Sequence, residues 1–406
     1  MKRVTALVMA GGKGERLYPL TRDRAKPAVP FGGIYRIIDF TLSNCINSGL
    51  RHIYILSQYK SLSLSRHIQL GWNIVSGTLG EYVTVVPAQQ RINEDWYKGT
   101  ADAIFQNIYL LQKETPKLVL ILSGDHIYKM DYREMINFHL QKGADVTVAS
   151  VEMDKGLSRQ FGVIAVDDDF RIQGFEEKPE NPRTFPSKPD KILASMGVYI
   201  FNTEIMVKRL IEDAKKTTEH DFGKNIIPAM VASGNPVFAY NFVDEKGEAK
   251  YWRDVGTIEA YFDASMDLVS VCPLLNLYDA QWPIHTYHAP SPPAKTILYE
   301  DTAAGGRRGA AYESIIAGGA IISGGEVRKS IISANVRVDS YARIEDSILL
   351  DGVRVRDGAK IRKTIVDKYS EIPEGMTIGY DLKEDMKNFT VTESGIVVVS
   401  KGFRLR

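Results

Sequence analysis

The feature that most constrains the fold is a repeat of 17 residues in the C-terminal part of the chain. Branched apolar residues recur at steps of six, six and five, in the rows Ile315, Ile321 and Val327; Ile332, Val338 and Ile344; Leu349, Val355 and Ile361; Val366, Ile372 and Ile378. No ordinary helix or hairpin has this period. A stacked parallel β-helix has it, because each inward position of a triangular coil meets its equivalent one coil above. The sequence therefore predicts a β-helix of about four coils.

The N-terminal part of the chain alternates strands and helices. Residues 4–9 form an apolar run typical of a buried strand, and a predicted helix over Ile38–Ser48 precedes a second strand over Ile53–Leu56. This alternation predicts an α/β domain with a Rossmann-like, mostly parallel sheet. A proline-rich stretch with a Gly/Arg run then interrupts the pattern. We expect the α/β domain over 1–272, a linker over 273–310, and a β-helix domain with a C-terminal tail over 311–406.

Composition narrows the class of protein. The 406 residues suffice for two or three domains, and 51 basic and 50 acidic residues nearly cancel, so no field attracts nucleic acid. Cys45 and Cys272 give neither a disulfide framework nor a zinc spacing, and we interpret both as buried thiols. The N-terminus reads as a strand rather than a signal peptide, and no apolar stretch approaches the ~20 residues of a membrane span. These features predict a cytoplasmic protein without nucleic-acid or membrane partners.

A glycine-rich loop follows the first strand. Gly11, Gly12 and Gly14 would let backbone N–H groups approach a phosphate closely, because glycine has no Cβ and tolerates positive φ. Arg16 adds a planar fork of donors for phosphate oxygens, and Lys26 adds a movable charge. A tight turn that needs glycine explains such a loop about equally well. The loop matches neither the P-loop nor the dinucleotide-binding pattern.

Two aspartates are candidates for a metal site. Asp125 comes shortly after the apolar run Leu118–Leu122, and open α/β sheets bind ligands just past their strand ends. Mg²⁺ takes oxygen ligands, commonly one or two carboxylates plus water. A simple turn residue is the alternative for Asp125. Asp254 is a second candidate, although it would also serve as the N-cap of a helix expected around 257–268.

The segment 87–106 predicts a helix that starts inside a polar and aromatic loop. Apolar residues recur at helical spacing after Thr100, which is a good N-cap. The helix would then present free N–H groups beside Tyr97 and Gly99. Gln90 offers paired donor and acceptor to a base edge, and Tyr97 would stack on or hydrogen-bond to a sugar. A loop with a buried aromatic pair explains the segment equally well.

One long motif points to a family. Residues 12–30 read G-x-G-x-R-L-x-P-L-T-x(4)-K-P-x-x-P, and the chain continues as FGG and RIIDFxLSN. This stretch resembles the opening of the sugar-1-phosphate nucleotidyltransferases, most closely that of the glucose-1-phosphate adenylyltransferases (ADP-glucose pyrophosphorylases). Later segments resemble the same family in order, namely WYKGTADA, GDHIYK, FGV, EKP, ASMG, HDFGK and YWRDVGT. The resemblance spans nearly all of the chain apart from the variable linker.

The resemblance implies a role for each matching residue. Residues 1–272 would be the catalytic nucleotidyltransferase domain, in which Arg16, Lys26 and Asp125 are catalytic, and Asp125 and Asp254 hold Mg²⁺. The glucose 1-phosphate site would comprise Tyr97, Gly162, Glu177, Lys178 and Ser195, with Lys178 on the phosphate, Glu177 and Ser195 on the hydroxyls, and Gly162 leaving room for the ring. The nucleotide site would comprise Gly11, Gly12, Gly14, Gln90, Gly99 and Thr100, with Gln90 near adenine.

The resemblance also implies a reaction and an assembly. Glucose 1-phosphate would attack the α-phosphorus of ATP in line, giving ADP-glucose and pyrophosphate, and ADP-glucose would serve glycogen or α-glucan synthesis. The β-helix would be left-handed and would help to build a homotetramer that responds to small-molecule allosteric effectors. Many bacterial members carry a lysine after FGG that is implicated in binding a phosphorylated activator. Ile34 stands there in this chain, which predicts weak, altered or absent activation.

Three alternatives remain open at this point. A nucleotidyltransferase for another nucleotide or another sugar phosphate would share the fold and the mechanism. A catalytically silent regulatory subunit is a second alternative, against which the retained Arg16, Lys26, Asp125, Lys178 and Asp254 argue. An acyltransferase is the third, because β-helices of this kind also occur there, although residues 315–378 offer no convincing catalytic histidine.

Overall fold

A computed structural model describes residues 4–89, 96–185, 188–299 and 307–405. The N-terminal part is an α/β unit whose strands are β1 Val4–Ala10, β2 Pro30–Phe31, β3 Tyr35–Arg36, β4 His52–Ser57, β5 Tyr82–Pro87, β6 Leu118–Ser123, β7 His126–Tyr128, β8 Val146–Asp154, β9 Gly162–Val166, β10 Ile172–Glu177, β11 Lys191–Asn202, β12 Val237–Asn241 and β13 Trp252–Asp254. The helices are α1 Ile37–Asn47, α2 Ser61–Gly71, α3 Thr100–Phe105, α4 Ile108–Glu114, α5 Tyr132–Gln141, α6 Thr203–Ala214, α7 Ile227–Ala232, α8 Ile258–Asp267 and, near the C-terminus, α9 Leu382–Asp385. The helix predicted over Ile38–Ser48 is α1, shifted by one residue. The strand predicted over Ile53–Leu56 lies within β4.

The main sheet has parallel strands at its centre. Its order is β10–β9–β11–β6–β1–β4–β5, and β6, β1, β4 and β5 are mutually parallel, as are β8 and β12. The long strand β11 runs antiparallel to β6, β8 and β9. Strand β1 is apolar on both faces, because Ala6 and Val8 pack into one core and Leu7 into the core on the opposite face. The predicted mostly parallel α/β sheet is confirmed.

The C-terminal part is a parallel β-helix. Its strands are β14 Lys295–Tyr299, β15 Arg307–Arg308, β16 Ala310–Tyr312, β17 Ile315–Ile316, β18 Ile321–Ser323, β19 Glu326–Arg328, β20 Ile331–Ile332, β21 Arg337–Val338, β22 Arg343–Glu345, β23 Ile348–Leu349, β24 Arg354–Val355, β25 Lys360–Arg362, β26 Thr364–Val366, β27 Glu371–Ile372, β28 Thr377–Ile378, β29 Thr390–Val391 and β30 Val397–Val399. Strands from successive coils pair in parallel to form three sheets. The predicted 17-residue stacking is confirmed from Ile332 onward, since Ile332 lies beside Leu349 and Leu349 beside Val366.

Two of the three positions in the first predicted row of the β-helix are wrong by one residue each. Ile316 rather than Ile315 lies beside Ile332, and Ile322 rather than Ile321 lies beside Val338. Val327, the third member of that row, lies beside Ile344 as predicted. The chain also enters the β-helix within the predicted linker, because β14 pairs in parallel with β18.

Left-handed residues turn the corners of the β-helix. Positive φ angles recur in three ladders, which contain Glu313, Lys329, Asp346 and Lys363; Gly319, Asn335, Gly352 and Tyr369; Gly324, Tyr341, Gly358 and Gly375. Each ladder advances by one coil per member, so the corners stack as regularly as the strands. Non-glycine residues hold these angles only because the coils above and below fix the backbone.

The segment between the two units packs on helix α1. Trp282 Nε1 donates to Asn44 Oδ1 at 2.9 Å, and Thr286 Oγ1 donates to the buried carboxylate of Asp39 at 2.7 Å.

The prediction that both thiols are buried is wrong for one of them. Cys45 on α1 is buried, whereas Cys272 lies exposed after the end of α8. No helix in the described part of the chain is both long and apolar enough to cross a membrane.

Candidate active site

A two-stranded ladder brings the two candidate carboxylates together. Strand β13 pairs antiparallel with β7, and this register sets Asp254 opposite His126, the residue after Asp125. Lys26 reaches both carboxylates from the turn over Lys26–Ala28, with Nζ 2.8 Å from Asp125 Oδ2 and 3.0 Å from Asp254 Oδ1. Ser123 Oγ also donates to Asp125 Oδ1. The three residues therefore form one cluster past the end of β6.

The cluster is held in its charged form. Burial by itself lowers the pKa of Lys26, but the charges of Asp125 and Asp254 outweigh it, so this pKa lies above its ordinary value. Burial by itself raises the pKa of Asp125, but the charge of Lys26, helped by the hydrogen bond from Ser123, holds it well below its usual range. The site therefore carries fixed opposite charges at neutral pH, as a site that binds phosphates and a cation requires.

Asp254 does not cap the following helix. Thr257 is the N-cap of α8, and its Oγ1 accepts from the N–H of Ala260 at 3.1 Å. Arg16 comes close to Asp254, since a Cβ added at Gly256 would lie 3.0 Å from both Arg16 Nη2 and Asp254 Oδ1. The capping interpretation of Asp254 is therefore wrong, and its carboxylate faces the cluster.

The glycine loop lies beside the same cluster. Gly14 has a φ of +65°, and a Cβ there would come within 3.0 Å of the Lys26 and Thr21 side chains. Thr21 Oγ1 donates to the Gly14 carbonyl at 2.8 Å. Gly11 lies next to Gln58, whereas a Cβ at Gly12 would meet nothing within 4 Å. Of the three glycines in this loop, only Gly14 must be glycine, because its positive φ and its close neighbours both exclude a side chain.

The residues expected to bind glucose line a second wall. A Cβ at Gly162 would lie 2.8 Å from the Phe175 ring and 3.0 Å from Glu177 Oε2, so this position leaves room for no side chain. Burial raises the pKa of Glu177. Lys178 adopts a φ of +51°, and its Nζ lies 3.7 Å from Glu177 Oε1 in an exposed position.

Ser195 lies on β11 where the strand register breaks. The register with β8 shifts between Ser195 and Tyr199, and Gly197 in this bulge has a φ of +66°. A Cβ at Gly197 would lie 3.6 Å from His126 Cε1. The bulge therefore joins the sugar-side wall to the charged cluster.

The aromatic residues around this loop are placed, including Tyr97, which is expected at glucose 1-phosphate, but Gln90, which is expected near adenine, lies outside the described residues. The Trp96 ring stacks on Tyr59 with centroids 5.7 Å apart, and Lys13 Nζ lies 5.5 Å from the Tyr59 ring centre. Tyr97 is half-buried, and its hydroxyl accepts from Asn107 Nδ2 at 2.9 Å.

Two expectations for the start of α3 are wrong. Gly99, not Thr100, is the N-cap, and Thr100 Oγ1 instead donates to Asp221 Oδ2 at 2.8 Å. The first amides of α3 are not free, because the N–H groups of Ala101 and Asp102 donate to the His220 carbonyl at 2.8 and 3.3 Å. The reason is a close crossing of the two segments, since a Cβ at Gly99 would lie 2.2 Å from the Glu219 carbonyl oxygen.

His126 and Asp221 were not predicted as site residues. His126 Nε2 lies 3.6 Å from Asp125 Oδ1 and 3.9 Å from Asp254 Oδ1. Asp221 joins the nucleotide-side helix to the loop below Glu177, since its Oδ1 accepts from the N–H groups of Gly223 and Lys224. Both lie in segments that resemble the family, His126 in GDHIYK and Asp221 in HDFGK, and this resemblance was the available signal.

The donor set suits a divalent cation. One ligand atom each from Asp125, His126 and Asp254 lies within 4.8 Å of the others. One or two carboxylates are the protein ligands that Mg²⁺ commonly takes when it also binds substrate phosphates. The residues present therefore fit the cation that the sequence predicts.

The fold and this site define a nucleotidyl transferase with a β-helix attached. The family model described as Nucleotidyl transferase matches residues 5–271, and the model described as GlmU-like, C-terminal hexapeptide matches residues 292–399. The latter match is consistent with a left-handed parallel β-helix in the C-terminal part, as predicted.

Curated relatives specify the family further. The chain is 53% identical to a glucose-1-phosphate adenylyltransferase of Rhodopirellula baltica over 99% of this chain and 91% of that protein. It is 52% identical to one of Koribacter versatilis over 100% and 97% of the two chains. It is 50% identical to glucose-1-phosphate adenylyltransferase 2 of Vibrio cholerae over 100% and 99%. The chain belongs to the glucose-1-phosphate adenylyltransferase family.

Proposed function

We propose that this chain transfers the adenylyl group of ATP to glucose 1-phosphate, giving ADP-glucose and pyrophosphate for glycogen or α-glucan synthesis in the cytoplasm. The observation that carries the proposal is the Lys26–Asp125–Asp254 cluster, which lies beside Gly14 of the glycine loop and, through His126, beside the bulge at Gly197 that follows Ser195. The names of the relatives supply the nucleotide and the sugar.

The chemistry needs positioning more than proton transfer. An oxygen of the glucose 1-phosphate phosphate forms a bond to the α-phosphorus of ATP, and the bond from that phosphorus to the pyrophosphate oxygen breaks. No general base is required, because a phosphate monoester with a second pKa near 6 is mostly dianionic at neutral pH. The protein therefore contributes alignment and charge stabilisation.

The cationic side chains take the phosphate charge in this proposal. Arg16 and Lys26 stabilise the triphosphate, and Lys178 holds the phosphate of the attacking sugar. Arg16 lies near Asp254 and Lys26 touches both carboxylates, so these charges are held in place before substrate binds. Mg²⁺ held by Asp125 and Asp254 would offset further negative charge on the phosphates when bound.

The two walls of the cleft take the two substrates. Gly162, Glu177 and Ser195 form the glucose side, where Glu177 offers carboxylate acceptors to sugar hydroxyls. Gly11, Gly12, Gly14 and Gly99 supply close backbone approach on the nucleotide side. Tyr97 lies at the start of α3 between the two sides, and Thr100 acts through Asp221 as a positioning residue.

Regulation and assembly are the finer parts of the proposal. We expect a homotetramer that responds to small-molecule effectors, with weak or altered activation because Ile34 cannot pair with a phosphate. Arg36 is not free to replace the missing lysine, since its Nη1 donates to the carbonyl and Oγ of Ser63 at 3.0 and 2.9 Å. The test is stimulation by fructose bisphosphate in the wild type and in Arg36→Ala. Stimulation as strong as in relatives that carry the lysine, and unchanged in Arg36→Ala, would overturn the expectation of weak or altered activation.

Pyrophosphate release tests the proposed activity. Purified protein with Mg²⁺ and glucose 1-phosphate is assayed with ATP, UTP, dTTP or GTP, and Asp125→Asn protein serves as the control. We expect release that is selective for ATP and lost in the variant. Selectivity for another nucleotide would overturn the adenine assignment, and no release from folded protein would favour a regulatory subunit.

A further inference from the structure

We propose that His126 is a third protein ligand of the cation at Asp125 and Asp254, and that its imidazole shifts the preference of this site from Mg²⁺ toward Mn²⁺. The inference rests on the proposed function for the presence of a cation. It adds a nitrogen donor to a site that the sequence predicts from its carboxylates alone.

The spacing of the three donors suits a shared ion. His126 Nε2 lies 3.6 Å from Asp125 Oδ1 and 3.9 Å from Asp254 Oδ1, and both distances exceed a hydrogen bond. Ligand atoms at about 2.1–2.2 Å from one cation stand about 3–4.4 Å apart. The imidazole is thus too far away to bond the carboxylates and at the right distance to share an ion with them.

The imidazole has no other polar partner among the described residues. Only 12% of the His126 side chain is exposed, and its buried Nδ1 has no hydrogen-bond partner there. Buried polar atoms are normally paired, so a histidine without any hydrogen bond beside two carboxylates needs an explanation. A cation at Nε2 would give the imidazole a partner at the ring nitrogen that faces the two carboxylates, although Nδ1 would keep none among the described residues.

Lys26 and a cation can occupy different edges of Asp125. Lys26 Nζ contacts Oδ2 at 2.8 Å, whereas His126 faces Oδ1, which also accepts from Ser123 Oγ and has a second lone pair for a cation. Only Asp254 Oδ1 is approached by both, at 3.0 Å from Lys26 Nζ and 3.9 Å from His126 Nε2. The lysine therefore does not have to leave the cluster for the ion to bind at this face.

The surrounding packing fixes the ring. His126 packs edge-to-face on Trp252 with ring centres 5.0 Å apart and planes at 70°. The bulge at Gly197 closes the other side, where a Cβ would stand 3.6 Å from His126 Cε1. A ligand held by packing in this way loses little conformational freedom when the ion arrives.

The expected contribution is modest. A metal-bound histidine usually donates its other N–H to an acceptor, and loss of such a partner costs about 10–100-fold in affinity. Nδ1 of His126 has none in the described structure. We therefore expect His126 to contribute about tenfold to Mn²⁺ affinity and less to that for Mg²⁺, which takes oxygen ligands and dehydrates reluctantly.

A protonated His126 is the competing explanation. An imidazolium would act as a fixed counter-ion of Asp125 and Asp254 and would repel a divalent cation. The two explanations predict opposite results, because removing a ligand weakens cation binding, whereas removing a positive charge strengthens it.

Electron paramagnetic resonance distinguishes these explanations. Mn²⁺ is titrated into the wild type, His126→Asn and Asp125→Asn, alone and with a non-hydrolysable ATP analogue, using protein grown with ¹⁵N-histidine or unlabelled. His52→Asn is the matched control, because His52 is half-buried and stacks on Tyr82 rather than facing the cluster. Echo-envelope modulation reports nitrogen bound to the ion.

We expect a histidine-nitrogen signal in the wild type and in His52→Asn that is absent in His126→Asn, together with a Kd for Mn²⁺ raised about tenfold and a smaller change for Mg²⁺. Bound Mn²⁺ without a histidine signal, or unchanged or tighter binding in His126→Asn, overturns the inference while leaving the carboxylate site intact. No bound Mn²⁺, or equal binding in Asp125→Asn, overturns the proposed cation site itself.

Discussion

Arg24 and Asp367 form a buried ion pair that joins the α/β unit to the β-helix. Arg24 Nη1 and Nη2 each donate to Asp367 Oδ1 at 3.0 Å, and Nη2 also donates to Oδ2 at 3.1 Å. The pair lies at a shared apolar core in which Leu17 and Phe31 of the first unit meet Ile348 of the second. The two units therefore share a buried, specific contact.

Removing one member of this pair should strongly destabilise the protein. Asp367→Ala leaves a buried guanidinium without its carboxylate, which typically costs about 3–5 kcal/mol. The double variant Arg24→Met/Asp367→Leu should lose much less stability than the sum of the losses in Arg24→Met and in Asp367→Leu, because apolar side chains can fill the site. Denaturant unfolding of these three variants and the wild type measures this coupling. Glu384→Gln, which breaks an exposed pair with Lys387, should leave the transition unchanged, and additive single changes would contradict the coupling.

Asp125→Asn should fold normally and lose turnover. Its amide keeps the shape of the side chain but removes the charge next to Lys26, and loss of a charge aimed at a transition state commonly costs ~10²–10³ in rate. The rate of pyrophosphate release measures the effect, with circular dichroism as the check on folding. Asp346→Asn, at a corner of the β-helix, is the matched control and should turn over normally. Near-normal turnover in Asp125→Asn would remove this carboxylate from the mechanism.

Binding of glucose 1-phosphate should weaken in mild acid through Glu177. Burial raises the pKa of Glu177, so the carboxylate is protonated at higher pH than an ordinary glutamate and then loses acceptor capacity. Asp125 does not titrate with it, because its pKa is lowered. KM for glucose 1-phosphate should therefore rise more steeply in the wild type than in Glu177→Gln between about pH 7 and pH 5. The substrate phosphate titrates in the same way with both proteins, so comparing the wild type with the variant removes its contribution. Parallel KM profiles for the two proteins would contradict the assignment of Glu177 to the sugar.

The same shift fixes the sign of a stability effect. The folded pKa of Glu177 lies above the unfolded value, so its ionised form disfavours the fold at neutral pH. This penalty is relieved as the pH falls through the folded pKa. Glu177→Gln should therefore unfold at a higher denaturant concentration than the wild type at neutral pH, with the difference shrinking in acid.

Patterns that repeat, or that end a strand, could be predicted from the sequence. The β-helix follows from the 17-residue period, and Asp125 follows from its place after β6. The register of the first coil could not be predicted, because Ile315–Ile316 and Ile321–Ile322 offer adjacent isoleucines that satisfy the apolar pattern in either register. In the first coil, Ile316 lies beside Ile332 and Ile322 beside Val338, which is a step of 16 residues rather than 17. The path of the backbone, not the apolar pattern, decides between the two steps.

A contact between distant segments explains one of the other errors. Thr100 is a good N-cap by residue type, yet Asp221 takes its hydroxyl and His220 takes the first amides of α3. Asp254 is likewise a plausible cap, but Thr257 fills that position. The first error is therefore decided by a segment about 120 residues away in sequence, whereas the second is a local choice between two possible capping residues three positions apart.

Gly99 should be the least replaceable glycine of the nucleotide side. Its φ of −159° is extended backbone that any residue adopts, so the constraint is space rather than backbone angle. A Cβ would stand 2.2 Å from the Glu219 carbonyl oxygen and 2.3 Å from that of His220, both of them backbone atoms. Gly99→Ala must therefore push the 219–221 segment away from α3.

This displacement should reach the sugar side of the cleft. The 219–221 segment bonds to the start of α3 through His220 and Asp221, and a Cβ at Gly223 would lie 3.4 Å from Glu177 Oε2. We expect Gly99→Ala to destabilise the fold by about 1–3 kcal/mol and to raise KM for glucose 1-phosphate more than KM for ATP. Gly156→Ala is the matched control, since its Cβ would meet nothing within 4 Å. An increase in KM for ATP alone, or in neither KM value, would show that the crossing does not link the two walls, because a shift confined to α3 would change ATP binding alone.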